Sequence, residues 1–150
     1  MIVRPATLGD VSRIGETMWA RGRKELAALG IGAGVWAAAW LSRINRNDAV
    51  AIGEHAILGC DWESTDVCDT SFQASASFEQ PGIGFLVTKA LRRAIPELMR
   101  ERGARVSLTY SLCIDPEAVK WFRLLGLDED LNFRGERHGD YTMRRFVRRL

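Results

Sequence analysis

The length, composition and charge of the chain fit one globular domain over residues 1–150 and exclude several classes of protein. The chain has 150 residues, of which 47% are hydrophobic and 27% charged, and its formal net charge is +2. These values are typical of a compact domain with a sizeable core. The near-neutral charge argues against a nucleic-acid partner. No apolar run approaches the roughly 20 residues that a membrane helix needs.

The first half of the chain predicts a strand, two helices and three further strands. Residues 2–6 form a short strand, and Thr7 or Asp10 caps the helix that follows. This helix is expected to continue to Leu29, and a second helix rich in Ala and Trp covers residues 35–46. The three further strands are expected over residues 49–53, 55–63 and 67–76.

The second half opens with a long amphipathic helix that begins at Gly82. Its apolar residues recur every three or four positions up to Met99, which predicts one buried face. Pro96 predicts a kink or break near Arg93, because a proline inside a helix costs about 3 kcal/mol. The remaining elements are a strand over 105–114, a helix over 115–125, and an antiparallel pair over 127–135 and 140–147. The predicted order is therefore β-α-α-β-β-β-α-β-α-β-β, a mixed α/β fold.

The glycines that open this helix predict an anion site. The first turn of a helix has free N–H groups and partial positive charge, and glycine lets a phosphate approach the backbone closely. Gly82, Ile83, Gly84 and Phe85 therefore provide backbone donors for a pyrophosphate. No Gly-Lys-Ser or Gly-Lys-Thr follows, which excludes a Walker loop, and the third glycine of a dinucleotide fingerprint is missing. On its own, the glycine pair is also compatible with an ordinary flexible helix start.

Three segments, in the same order along the chain, resemble the GNAT N-acetyltransferases. They are Ile2-Val3-Arg4-Pro5-Ala6-Thr7 with Asp10 after it, Phe72 to Gly84, and Asp115 to Leu127. The first is similar to the family's opening strand and helix start, the second to its R/Q-x-x-G-x-G/A coenzyme A segment. The third is similar to its late helix, N-x-x-A-x-x-x-Y-x-x-x-G-F. The resemblance implies the GNAT fold, a mixed and mostly antiparallel central sheet flanked by helices.

The resemblance also implies an acetyl-coenzyme A (acetyl-CoA) co-substrate and an amine acceptor. Backbone groups near Ala74 and Ala76 would pair with the pantetheine arm, and the amides of residues 82–85 would hold the pyrophosphate. The late helix would bring Asp115 and Phe122 to the same co-substrate. The acceptor, a small molecule or a protein amine, would approach near the first two helices. GNAT relatives are often dimers, so the resemblance implies a homodimer.

Several positions depart from the family pattern. Glu79 stands where the family has Arg or Gln, and a carboxylate repels a pyrophosphate. Asp115 replaces the usual asparagine, and Phe122 replaces the tyrosine that protonates the departing thiolate. Loss of a general acid typically slows a reaction by about 10²–10⁴-fold. Tyr110 or Tyr141 is the hydroxyl that could take its place, and we take Tyr110 as the candidate catalytic tyrosine.

Four acidic residues in or near the predicted hairpin are candidates for the general base. They are Glu54, Asp61, Glu63 and Asp69, with ordinary surface carboxylates as the alternative for each. Asp61 ranks first, because it lies beside Trp62 on a strand predicted to be central. Trp19, Trp36 and Trp40 are expected in the core or in a pocket wall.

The cysteines and histidines predict no metal site and no covalent catalysis. Cys60, Cys68 and Cys113 form no CxxC pair. His55 and His138 are the only histidines. A structural zinc site therefore lacks ligands at the usual spacing, and a catalytic cysteine lacks a histidine partner. An odd cysteine count without a signal peptide indicates buried thiols in the reducing cytoplasm.

A narrower resemblance suggests an alternative function. Trp121-Phe122-Arg123-Leu124-Leu125-Gly126 and the segment 134–141 are similar to short phage-encoded GNAT-like proteins, some of them classed with internal virion proteins. That resemblance implies a non-catalytic protein, in the host cytoplasm or the virion, that acts by protein contact. The arginines at 144, 145, 148 and 149 are expected to form a solvated strand end rather than a nucleic-acid patch.

Overall fold

A computed structural model describes residues 1–150 and contains nine strands and five α-helices. The strands are β1 (Val3–Pro5), β2 (Ala49–Ile52), β3 (Ala56–Trp62), β4 (Val67–Ala74), β5 (Val106–Ser111), β6 (Asp128–Glu129), β7 (Arg137–His138), β8 (Tyr141–Thr142) and β9 (Arg144–Arg149). The helices are α1 (Leu8–Thr17), α2 (Ala20–Ala28), α3 (Ala33–Asn45), α4 (Pro81–Glu101) and α5 (Glu117–Leu124). A 3₁₀ turn over Ala76–Glu79 connects β4 to α4.

Seven strands form one mixed sheet in the order β1-β2-β3-β4-β5-β9-β6, and β7 and β8 form a separate hairpin. Every neighbouring pair in the large sheet is antiparallel except β4 and β5. The predicted mixed, mostly antiparallel sheet is therefore confirmed. The parallel pair is short, because β4 matches β5 only over Val67–Asp69 although both strands continue further.

The helices cover both faces of this sheet. Helix α3 packs on one face, where the ring of Trp40 lies over Gly59 of β3 and a Cβ at that glycine would come within 2.8 Å of the ring. Helix α4 packs on the opposite face, where Met99 contacts Cys60 and Cys68. Side chains alternate between the two faces along each strand, so the core has two apolar layers separated by the sheet. Cys60 and Cys68 are buried free thiols, as predicted, and Cys113 is partly buried.

The first predicted helix is in fact two helices. Helix α1 ends at Thr17 and α2 begins at Ala20, because Met18 pairs with Ser75 as an isolated β-bridge. The amide of Trp19 then donates to the carbonyl of Ala74 at 3.0 Å. The prediction of two helices before β2 was therefore wrong, since contacts with β4 draw the chain out of the helical path at residues 18 and 19.

The start of α1 is a capping box of the kind that the sequence indicated. Thr7 is the N-cap and accepts from the amide of Asp10 at 3.3 Å, while Asp10 accepts from the amide of Thr7 at 2.8 Å. The carboxylate of Asp10 also pairs with Arg4 and with Arg13, each at 2.7 Å. Hydrogen bonding from Arg4 is the main reason that the pKa of Asp10 lies well below its usual range.

Helix α4 continues without a break from Pro81 to Glu101, with Pro96 inside it. The predicted break near Arg93 does not occur. Pro96 is itself buried, and it lies on the face that includes Leu91, Ile95 and Met99. Burial of such side chains contributes about 1.5–3 kcal/mol each, so the three together outweigh the cost of about 3 kcal/mol for one internal proline.

The C-terminal pair is much shorter than predicted. Only Asp128 and Glu129 pair with β9, and the segment that follows forms the small β7–β8 hairpin. Ion pairs anchor β9 at this end, because Arg144 pairs with Glu129 and Arg145 with Asp130.

The C-terminal arginines are thus largely engaged within the protein, since Arg148 also donates to the carbonyl of Leu125 at 2.7 Å. These contacts agree with the expected strand end rather than a free basic patch. No single helix has the length and apolar character needed to cross a membrane; α2 and α3 meet those criteria only as a pair bent by 106°.

Candidate functional site

The central feature of the molecule is a fork between β4 and β5. The two strands pair up to Asp69 and Leu108 and then separate. The hydroxyl of Thr70 bridges them at the point of separation, since it lies 2.9 Å from the carbonyl oxygen of Leu108 and 2.8 Å from the hydroxyl of Thr109. Beyond this bridge, the edge of β4 that faces β5 has no strand partner, so its backbone groups are free to pair with an extended ligand.

A cavity of about 300 Å³ opens at the fork. Helices α2 and α3 supply an apolar wall that includes Leu26, Val35, Trp36 and Trp40, and α5 supplies Trp121 and Phe122. Polar groups come from the strands, where Asp69, Ser71 and Gln73 of β4 face Thr109, Tyr110 and Ser111 of β5. An apolar chamber with a few convergent polar groups is typical of a small-molecule site. We call it the inner cavity.

Asp69 is the distinctive ionisable group of the inner cavity. Its carboxylate is partly buried and has no hydrogen-bond or ion-pair partner in the structure. Burial, followed by the negative charges of Glu63 and Asp61, raises the pKa of Asp69 to about 7. A carboxylate with a pKa near neutrality can accept a proton from a reacting group at physiological pH.

Asp61, the base that ranked first from the sequence, has a different environment. Its carboxylate accepts from Arg43 at 2.6 Å and from Arg46 at 2.7 Å. Although burial acts in the opposite direction, these two guanidinium groups lower the pKa of Asp61. Asp61 is the direct cross-strand neighbour of Asp69 but does not line the inner cavity.

Tyr110 and Phe122 both line the inner cavity. The hydroxyl of Tyr110 donates to Glu63 at 2.9 Å, and burial is the main reason that the pKa of Tyr110 is raised. Phe122 is buried, and its ring centroid lies 4.5 Å from that of Phe146. Tyr141 is exposed on β8 and lines neither this cavity nor the outer cleft described below. Tyr110 is therefore the one tyrosine hydroxyl at the fork.

The start of α4 has the features of an anion site. Gln80 is the N-cap, and no side chain caps the helix. The amides of Gly82 and Ile83 have no backbone partner, and the space around Gly82 is open, with no atom within 4 Å of an added Cβ. Gly84 has a structural role, because a Cβ there would lie 2.7 Å from the carbonyl oxygen of Phe78. The exposed side chain of Phe85 points away from the core.

An outer cleft of about 540 Å³ lies beside the inner cavity and reaches Phe78 and Glu79, just before the start of α4. It is lined by Lys24, Phe78, Glu79 and Asp115, and it shares Trp19 and Arg21 with the inner cavity. Between the two spaces lies an aromatic cluster of Trp19, Phe72, Phe78 and Trp121, whose neighbouring ring centroids are 4.8–5.9 Å apart.

Asp115 is held at the start of α5 by two contacts. It accepts from the amide of Glu117 at 2.9 Å and forms an ion pair with Arg21. The bond from Glu117 is the largest cause of its lowered pKa.

At the end of β4, the carbonyl of Ala74 is already bonded to the amide of Trp19, while Ala76 is exposed in the 3₁₀ turn. The unpaired edge of β4 is therefore centred on Ser71–Gln73.

No family profile matches the sequence, and no curated protein is significantly similar to it. Solved structures do match. A ribosomal-protein-alanine N-acetyltransferase from Brucella melitensis superposes with a TM-score of 0.67 at 14% identity, covering 100% of both chains. The chain has the GNAT fold.

Two further structures support this assignment. A GNAT-superfamily phosphinothricin acetyltransferase from Sinorhizobium meliloti, in complex with acetyl-CoA, gives a TM-score of 0.66 at 14% identity, covering 99% of this chain and 88% of the other. A spermidine N-acetyltransferase from Vibrio cholerae gives 0.68 at 12% identity, covering 99% and 95%. At such low identity, the similarity establishes the GNAT fold and leaves substrate and activity to the residues of this chain.

The sequence identified several of these residues but ranked Asp61 ahead of Asp69 among the four candidate carboxylates. Nothing in the local sequence of Asp69 shows that it, and not Asp61, is left without a partner. The two carboxylates differ because Arg43, 18 residues before Asp61 and on α3, forms a hydrogen bond to Asp61. The hydrogen bond from Trp121 to Thr88, which joins α5 to α4 at 2.9 Å, had no signature in the sequence.

Proposed function

We propose that the protein is an acyl-CoA-dependent N-acyltransferase that transfers an acetyl group to an amine. The observation that carries the proposal is the fork between β4 and β5, which places the unpaired carboxylate of Asp69 in the inner cavity. This cavity shares Trp19 and Arg21 with the outer cleft, whose lining includes Glu79, two residues before the uncapped start of α4. Structures with the same fold are N-acetyltransferases, and one of them holds acetyl-CoA.

The residues of the chain fit the acyl donor. The free amides of Gly82 and Ile83 and the open space at Gly82 suit a pyrophosphate. The unpaired edge of β4 suits an extended amide-bearing arm, which would run from the outer cleft past the aromatic cluster into the inner cavity. Lys24 lines the outer cleft without an ion-pair partner, so its ammonium group is free to offset the charge of Glu79.

Bound acetyl-CoA would supply a thioester as the acyl donor. Asp69 removes a proton from the attacking amine, so that the new carbon–nitrogen bond forms as the carbon–sulfur bond breaks. The backbone of β4 beyond the fork orients the acceptor and donor against each other. Asp61 stays ionised beside its arginines, and its charge adds to burial and Glu63 in raising the pKa of Asp69.

The departing thiolate needs a proton that Phe122 cannot provide. Tyr110 is the tyrosine hydroxyl that lines the inner cavity, and we assign the role of general acid to it. Its bond to Glu63 holds the hydroxyl in place. The side chains of Phe122 and Trp121 instead exclude water from the fork.

We propose that the acceptor approaches the inner cavity near α2 and α3, whose apolar residues form one of its walls. The three free cysteines fit the reducing cytoplasm, where we place the protein. We also propose that the protein forms a homodimer, which light scattering would detect as twice the monomer mass.

Acetyl-CoA binding and turnover test the proposal together. At about 100 times its dissociation constant, acetyl-CoA should stabilise the protein by about 2.7 kcal/mol, which corresponds to a rise in Tm of roughly 5–10 °C. With an amine acceptor present, thiol should be released. No rise in Tm at millimolar acetyl-CoA would overturn the proposal and favour the non-catalytic alternative.

A matched pair of variants locates the phosphate site. Gly82→Asp introduces a negative charge at the second residue of α4, and Gly34→Asp does the same at the second residue of α3. Both positions are open, so neither change should disturb packing. Gly82→Asp should abolish the rise in Tm, Gly34→Asp should keep it, and Glu79→Gln should increase it at subsaturating acetyl-CoA. Equal behaviour of the two aspartate variants would contradict the assignment.

A further inference from the structure

Three sulfur atoms meet on the face of the sheet that α4 covers, away from the inner cavity. Sδ of Met99 lies 3.0 Å from Sγ of Cys68 and 3.7 Å from Sγ of Cys60. All three residues are buried, and both thiols are free. A thiolate sulfur lies about 2.3 Å from the metal it binds, so two sulfurs that share one ion are at most about 4.6 Å apart. Both separations satisfy this limit, and we call the three residues the sulfur cluster.

The strand register separates the two cysteines too far for a disulfide. Cys60 pairs with Thr70 and Cys68 pairs with Trp62, so the cysteines are diagonal and not direct neighbours. Diagonal Cα atoms are about 7–8 Å apart, whereas a disulfide needs about 4.4–6.8 Å. An ion that binds both thiols and Met99 spans the distance that a direct sulfur–sulfur bond does not.

The two thiols also act on each other. Their mutual hydrogen bond is the largest cause of both pKa shifts, since it raises the pKa of Cys60 and lowers that of Cys68. The hydroxyl of Ser107, which is fully buried, lowers the pKa of Cys68 further. Cys68 is therefore the thiol of the pair that ionises first, and a thiolate is the form that binds a metal. Hydrogen bonds from outer residues commonly hold metal ligands in place.

A cavity of about 40 Å³ adjoins the sulfur cluster between β2, β3 and α4. Cys60 and Met99 line it, as do Asp48 and the partly exposed Arg102, which form an ion pair at 2.6 Å. Because Sγ of Cys60 contacts Met99, this thiol lies on the α4 side of β3, where the cavity is. One water takes up about 30 Å³ of liquid, so the cavity has room for a single ion. Cys68 lies beyond Met99, whose flexible unbranched side chain can turn to let an ion contact both thiols.

The donor atoms determine which metal fits. Thiolate and thioether sulfurs select Cu(I), whereas a structural zinc site needs four ligands from thiolate, imidazole or carboxylate groups. No histidine lines the cavity. Its one carboxylate, Asp48, is already paired with Arg46 and Arg102. Two thiols and one thioether are therefore the ligands that remain.

We propose that Cys60, Cys68 and Met99 bind one Cu(I) ion through their three sulfur atoms. Binding releases the two thiol protons to solvent and leaves the site with a net negative charge, which the guanidinium of Arg102 beside the cavity offsets in part. The site is independent of acyl transfer, because it lies on the other face of the sheet. The spacing of the three residues along the chain does not indicate it, since only the fold brings α4 to β3 and β4.

An anaerobic titration of the whole protein tests the site. Cu(I) is supplied as its coloured complex with the chelator bicinchoninate, and loss of colour measures transfer to the protein. We expect one ion to be transferred per chain and Tm to rise, because the ion binds the folded state. Zinc(II) should not displace the copper, since thioether sulfur is a soft ligand. The proposal is wrong if no copper is transferred, if Tm does not rise, or if zinc competes equally.

Matched variants identify the ligands. Cys60→Ser and Cys68→Ser should each weaken Cu(I) binding by more than the roughly 10–100-fold that loss of a residue hydrogen-bonded to a ligand costs. Met99→Leu, which conserves the volume of the core, should weaken binding to a smaller extent. Cys113→Ser, at the third cysteine, should leave the affinity unchanged. Equal losses in all three serine variants would show that copper binds cysteines without selecting this cluster.

X-ray absorption of the copper-loaded wild type needs no variant and therefore covers the case in which a serine in the core prevents folding. We expect only sulfur neighbours around the copper, at about 2.3 Å. A nitrogen neighbour at about 2.0 Å would assign the copper to His55 or His138 and contradict the sulfur site.

Discussion

Asp10 and Asp69 are two shielded carboxylates of the same domain with opposite surroundings. Asp10, at the start of α1, accepts hydrogen bonds from Thr7, Arg4 and Arg13, and its pKa lies well below the usual range. Asp69, at the fork of β4 and β5, has no side-chain partner, and its pKa is raised to about 7. Both groups are shielded from water, so burial alone does not determine their behaviour.

The difference lies in whether each negative charge is compensated. Bonds to the ionised form of Asp10 hold the chain in its folded geometry, so this carboxylate stabilises the fold. The ionised form of Asp69 is left without compensation, which opposes folding and keeps the group ready to exchange a proton. A carboxylate that lies beside a cavity without a partner is therefore a candidate catalytic base. A carboxylate whose oxygens are all hydrogen-bonded is more suited to stabilising the fold.

The largest expected effect is on catalysis at the fork. Asp69→Asn removes the proposed base and should lower kcat/KM by about 10²–10⁴-fold. Asp61→Asn, on the neighbouring strand, should lower it by less than about tenfold, because Asp61 acts only through its charge. If steady-state kinetics show that Asp61→Asn is the more damaging change, the base is Asp61 and not Asp69.

The next effect concerns stability at the helix start. Asp10→Ala removes the capping box and two charged pairs, which should lower the free energy of unfolding by about 2 kcal/mol at pH 7. Because the folded pKa of Asp10 is lowered, this contribution is present above the unfolded pKa and is lost as the pH falls toward the folded pKa. Urea unfolding of the wild type and the variant should therefore converge in acid. Asp140→Ala, at an exposed position whose side chain makes no hydrogen bond or ion pair, should change stability by less than about 0.5 kcal/mol.

Asp69 should show the opposite dependence on pH. Its folded pKa is raised, so the stability associated with its protonated form is present below the unfolded pKa and is lost as the pH rises through about 7. Asp69→Asn should consequently raise Tm at pH 8 and leave it nearly unchanged at pH 4. A variant that is equally or more destabilised at pH 8 would mean that Asp69 has a compensating partner.

The smallest effect is a shift in the pH dependence of activity. Burial is the largest cause of the raised pKa of Asp69; the charged groups that act on it are Glu63 and Asp61, which raise the pKa, and Arg43, which lowers it. Glu63→Gln removes one negative charge and should move the midpoint of kcat/KM against pH downward from about 7. Arg145, which also approaches Tyr110, stays paired with Asp130 in this variant. An unchanged midpoint would assign the titration to another group, such as the acceptor amine.

Much of the fold could be predicted from local patterns. The periodicity from Gly82 to Met99 predicted α4, and Thr7 with Asp10 predicted the capped start of α1. The break between α1 and α2 and the continuity of α4 through Pro96 could not be predicted. Both depend on contacts with distant residues, the pairing of Met18 with Ser75 in one case and burial of the apolar face in the other.

The sequence by itself determined the order of elements from β2 to α5, the glycine-led start of α4, and the set of carboxylates from which a base must come. Only the tertiary structure decided which carboxylate is free, because α3 brings Arg43 to Asp61 and leaves Asp69 facing the cavity. It also left the indole N–H of Trp36 without a partner. Strand alternation fixes the face on which a side chain lies, but its pKa and hydrogen bonds depend on groups that the fold brings near through space.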